Sequence, residues 1–141
     1  MTAKAYLEEI GVITERIKQK EIQLECLRET AGGAAALRYD KVQIQNSPQG
    51  DMLEKKVIEL IELEESILVE KVHLEKLRDQ IISQIHELDD ERYIKVLFKR
   101  YVEKKSYELI AVECSYTYDY IRELHSDAIR AFGNMFGMAP L

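Results

Sequence analysis

The chain has 141 residues, of which 46% are apolar and 33% charged, and its formal net charge is −6. The length bounds the fold to one domain or two small ones, with enough apolar material for a core and enough charge to cover exposed helices. The acidic balance counts against a free-standing duplex binder, which needs a basic surface, while leaving room for a locally basic face.

Residues 3–29 carry a seam at alternating spacings of three and four. It runs Ala3, Tyr6, Ile10, Ile13, Ile17, Lys20, Leu24, Leu27, broken only by Lys20. This spacing predicts one long helix with a coiled-coil-type face, roughly 40 Å in length. Gly32 and Gly33 are expected to end it, and "NSPQGD" reads as a turn, which gives a loop at about 30–51. Within that loop "DKVQIQ" alternates as a short extended piece would.

Residues 52–88 predict a second long helix, with Asp51 as its N-cap. One apolar stripe runs from Leu53 through Leu60, Ile67, Leu74 and Ile81 to Leu88. A second lies beside it through Ile58, Ile61, Leu68, Val72 and Ile82. One partner helix needs only one stripe, so two stripes imply two neighbours. The first is residues 3–29, folded back as a long antiparallel helical hairpin spanning 1–88. The second is either the C-terminal domain or another subunit, and a homodimer through the long helices is the favoured expectation. Glu64, Lys71 and Arg78 in the seam are read as buried stems with charged ends in water.

Residues 89–132 predict a compact three-helix unit. Asp89 or Asp90 caps the first helix, Ser106 the second and Thr117 the third; Gly133 stops the third, and 133–141 is a tail expected to fray. The second and third helices match the slots of a helix-turn-helix. Ala111 supplies the small residue at the crossing, Ile110 and Cys114 are apolar around it, Tyr116 pins the turn, and Ile121 and Leu124 face inward. The turn residue is Ser115, where glycine would be favoured. The fold class expected is therefore all-α, a helical hairpin followed by a helix-turn-helix domain.

These residues carry a resemblance. "DERYIKVLFKRYVEKKSYELIAVECSYTYDYIRELHSDAIRAF" resembles the fourth region of bacterial sigma factors. "RYDKVQIQNSPQGDMLEKKVIELIELE" is similar to the RinA- and ArpU-like late-gene transcription regulators of phages of Gram-positive hosts. The resemblance implies control of phage or prophage gene expression through double-stranded promoter DNA, with contact to RNA polymerase.

If the third helix enters the major groove, Tyr118, Asp119, Arg122, Glu123 and Ser126 face base edges. Arg122 suits guanine, and Asp119 or Glu123 accept from cytosine. Lys99, Arg100, Lys104 and Lys105, with Thr117 and Tyr120, are the candidate phosphate contacts. The plainer readings are a surface ion pair for Arg122 and a solvated turn for Lys104 and Lys105. Residues 89–141 hold eight basic and nine acidic side chains, so one such domain is a weak binder.

His73, His86 and His125 read as helix-surface imidazoles, and Cys26 and Cys114 as reduced, buried small residues. No catalytic cluster, metal-ligand spacing or phosphate loop is present, so no enzyme and no cofactor are expected. No signal core and no run of ~18 apolar residues is found, which gives the expectation of a cytoplasmic protein without membrane attachment. The alternative function is a coiled-coil assembly or adaptor protein, such as a phage DNA-packaging component.

Overall fold

The computed structural model describes residues 1–38 and 48–140. They fold as α-helices with no strand among them. The helices are α1 (Ala3–Arg38), α2 (Pro48–His86), α3 (Glu91–Leu97, continued by a π-helical turn at Phe98–Val102), α4 (Tyr107–Cys114) and α5 (Tyr118–Phe136). The extended piece expected at "DKVQIQ" lies outside the described residues.

The boundaries at the end of α1 and the start of α2 differ from the sequence reading. α1 runs through Gly32 and Gly33 to Arg38. The pair is followed by "AAALR", and those strong helix formers offset the roughly 1 kcal/mol that each glycine costs. α2 begins at Pro48, so Asp51 sits inside its first turn rather than capping it. Proline suits a first helical position because its φ is preset and its missing N–H has no partner there anyway. Asp51 then faces the positive end of the helix dipole.

The chain divides into two compact units. Glu15–His73 is one of them. In it α1 and α2 run antiparallel, as their cross-helix bonds show: Arg16 to Glu70 at 3.3 Å, Lys20 to Ser66 at 2.7 Å, Arg28 to Glu64 at 3.0 Å. Rising numbers on one helix meet falling numbers on the other. Ile17, Leu24 and Ile67 are buried between them. Lys20, the break in the seam, is satisfied by Ser66 and by Glu70. Glu64 and Lys71 likewise end on opposite charges, Arg28 and Glu21. Cys26 is exposed, contrary to the burial expected of it. The second stripe stays on the surface at Ile58, Ile61, Leu68 and Val72, while its last member, Ile82, packs against the buried core.

The other unit is Met1–Thr14 with Leu74–Leu141. Its core joins Ala3, Leu7 and Ile10 of α1 to Ile81 and Ile85 of α2 and to Val96, Leu97, Tyr101, Ile110, Ile121, Leu124, Ala128, Ile129 and Phe132. Residues that the sequence assigned to the long helices thus complete the core of the C-terminal helices.

The tail is docked rather than frayed, and α5 passes Gly133 to end at Phe136. Gly137, at φ 69°, provides the left-handed cap. The chain then turns back: Met138 N–H donates to Gly133 O at 2.8 Å, and Ala3 N–H donates to Ala139 O at 2.6 Å. The second bond satisfies one of the orphan donors at the start of α1, and Thr2 Oγ1 accepts another from Ala5. Gly133 is needed where it stands, because a Cβ there would meet Met138 O at 2.5 Å. Gly133→Ala is therefore expected to lower stability by about 1–3 kcal/mol through overpacking. Urea denaturation of the full chain measures this, and an unchanged midpoint would remove the close approach from the account.

Candidate functional site: the outer face of α5

α4 and α5 are set by local chemistry. Ser106 caps α4 by accepting from Leu109 N–H, and Thr117 caps α5 by accepting from Tyr120 N–H, both at 3.2 Å. Between them Ser115 adopts φ 59° and ψ 40°, the left-handed conformation. That conformation strains a residue with a side chain, as the sequence warned. Tyr116 N–H closes the turn on Ala111 O at 2.9 Å. Ile110, Ala111, Ile121 and Leu124 are buried, and Cys114 is packed against the core.

Tyr116 departs from its expected place. It is 42% exposed, and its ring lies 4.7 Å from that of Tyr120. It packs against Tyr120 instead of entering the core.

Burial of Ile121, Leu124, Ala128 and Phe132 turns the opposite side of α5 outward. Tyr118, Asp119, Arg122, Glu123 and Ser126 are all exposed there, along successive turns. Arg122 Nη1 donates to Tyr118 Oη at 3.1 Å, and its guanidinium lies 5.5 Å from the Tyr107 ring centroid. Ser126 Oγ donates to Arg122 O at 3.2 Å. Arg122 forms no ion pair with Asp119 or Glu123; aromatic rings hold it. Its charge is therefore oriented without being cancelled by a carboxylate contact.

The basic cluster behaves differently. Lys99 and Lys105 both reach Glu113 of α4, at 3.5 and 2.6 Å, and Lys105 also pairs with Glu103. These partners raise the Lys105 pKa, and Lys105 in turn holds the Glu113 carboxyl below its ordinary value. Arg100 donates to Lys105 O at 3.0 Å and lies 4.1 Å over the Tyr107 ring. Lys104 stands at φ 57°. The solvated turn read for Lys105 is thus an ion-pair network. Thr117 is occupied as a cap, and Tyr120 Oη accepts from Arg92 at 2.8 Å. The cluster lies together, but its lysine charge is largely met by Glu103 and Glu113. Glu113 was not singled out, because nothing local pairs it with residues eight and fourteen positions earlier.

His125 is the other residue that the sequence misplaced. It is 7% exposed and shares a 2.6 Å hydrogen bond with Tyr101 Oη. Burial, then the charges of Arg100, Lys4 and Arg122, push its pKa down to about 4. Its proton therefore binds the unfolded chain more readily than the folded one. Stability from this group is complete above about pH 6.5 and is lost as pH falls toward 4, by a total on the order of 3 kcal/mol. Comparing urea midpoints of the wild type and His125→Gln across that window should show a shallower pH dependence in the variant. Parallel curves would contradict the assignment.

Among the described residues no group of three or more His, Cys, Asp or Glu side chains is placed to hold a metal ion, and no helix is long and apolar enough to cross a membrane. The chain matches no family model, no curated protein and no solved structure.

Proposed function

We propose that the chain is a sigma-like transcription regulator of phage or prophage genes, binding double-stranded DNA through a helix-turn-helix formed by α4 and α5. The observation that carries this reading is the outer face of α5. Five polar side chains stand exposed on its N-terminal half, with Arg122 held by Tyr118 and Tyr107 and free of carboxylate contact. A guanidinium so oriented matches the paired acceptors of guanine in the major groove. The resemblance of residues 90–132 to the fourth sigma region supports it, and it extends the role to contact with RNA polymerase in the cytoplasm.

A single domain of this kind binds weakly, since Glu103 and Glu113 answer the lysines that would meet phosphate. A homodimer through the exposed stripe of α2 supplies the missing affinity. Two linked sites gain a factor of ~10² or more when both reach DNA together.

The second reading is a coiled-coil assembly or adaptor protein, such as a DNA-packaging component. The same ion-paired lysines and the exposed apolar stripe favour it. Oligomer size separates the two, because a packaging ring needs many copies and the regulator needs two.

Arg122→Ala is expected to cost about 1–3 kcal/mol of selective binding to DNA upstream of prophage late genes. Fluorescence anisotropy measures it. Equal binding by the variant removes Arg122 from base reading, and no selective binding by the wild type, alone or with polymerase, removes the reading itself. Leu68→Glu, at a stripe position 63% exposed in the single chain, is expected to convert the dimer to a monomer in sedimentation and to weaken DNA binding by roughly the avidity factor. An unchanged sedimentation coefficient would place the dimer contact elsewhere.

A further inference from the structure

A pocket of ≈ 290 Å³ opens beside α5. Its walls include Lys4 from the first turn of α1, Tyr107 from α4, and Arg122, His125, Ser126 and Arg130 from α5. Three of these carry positive charge, and among the described residues no carboxylate lines the pocket. Lys4 makes no ion pair among the described residues. Arg130 pairs with Asp127 at 3.3 Å, but both side chains are well exposed, so water screens that pair. Arg122 is held over Tyr107 and bonded to Tyr118, which fixes its guanidinium before any ligand arrives.

Concave geometry, three cations in the lining and an aromatic wall define an anion site more narrowly than a charged surface does. The volume lies at the lower edge of the roughly 300–1,000 Å³ typical of small-molecule sites, which fits one small anion and excludes a dinucleotide. A doubly charged tetrahedral anion offers oxygens in several directions and so answers cations arriving from α1 and α5 at once.

We infer that this pocket is a phosphate-binding site, holding a single phosphate group on Lys4, Arg122 and Arg130. The phosphate belongs either to a free phosphorylated molecule or to the DNA backbone. The first source stands apart from the DNA reading, since a free phosphate ester fills the pocket whether or not the protein touches a duplex. The depressed basicity of His125 is consistent with the positive field, because Lys4 and Arg122 are among its causes after burial.

The test is an NMR titration of the full chain with inorganic phosphate, then with adenosine monophosphate, following the His125 ring signals. Saturable shifts are expected at millimolar concentration, and Lys4→Ala is expected to weaken the fitted affinity by about tenfold, the loss of one charge-assisted contact. Arg130→Gln, fully on the surface of α5, is expected to weaken it as well, which guards against a fold defect in the first variant. A parallel arm measures binding to a random-sequence duplex against salt concentration. A slope reduced by about one in Lys4→Ala identifies a backbone phosphate as the source. Saturable phosphate binding with an unchanged slope identifies a free phosphorylated molecule. No saturable shift together with an unchanged slope overturns the inference. So does equal phosphate affinity in the wild type and both variants.

Discussion

The close approach of α5 to the first turn of α1 is the constraint on which the C-terminal unit depends. At Gly133 a hydrogen takes the place of a side chain, so Met138 O fits against the helix and the Ala3 methyl lies 3.5 Å from where a Cβ would be. The chain after α5 can then fold back, and Ala139 O accepts from Ala3 N–H. Phe132 is fully buried one residue earlier, between the rings of Tyr6 and Phe136. This contact orients α5 about its own axis. With Ile121, Leu124, Ala128 and Phe132 turned inward, Tyr118 to Ser126 have only the solvent side to occupy. The outward turn of this face is a consequence of packing many residues away from it.

The electrostatics follow from the same arrangement. α4 carries Glu113 to within reach of Lys99 and Lys105, so these two lysines are ion-paired within the protein surface. Among the described residues Arg122 and Lys4 are not paired in that way. The proposed DNA face, acidic in part through Asp119 and Glu123, is a reader of limited strength. The proposed reading therefore includes a second copy or a polymerase to hold it in place.

Much of this was legible locally. The slots at Ile110, Ala111, Ile121 and Leu124, the caps at Ser106 and Thr117, and the buried seam through Ile10, Ile13 and Ile17 all follow from short-range periodicity and capping chemistry. What escaped was long-range or competitive. His125 is buried because Tyr101, 24 residues away, supplies its hydrogen bond. Tyr116 stays out because Tyr120 gives its ring a surface partner. The diglycine fails to stop α1 because the alanines after it favour helix, and the tail docks because the unpaired Ala3 N–H at the start of α1 donates to Ala139 O. The partners of His125 and of the tail lie far along the chain, and those of Tyr116 and the diglycine compete with the local rule that the sequence offers.

The central claim is that the outer face of α5 reads DNA sequence in a protein too weakly basic to bind as a single domain. Selection by the full chain from a pool of random duplexes tests it most directly. The account predicts an enriched consensus of two related half-sites, with a guanine at a fixed position in each. A pool that emerges with no enriched sequence, or with enrichment for length alone, would contradict it.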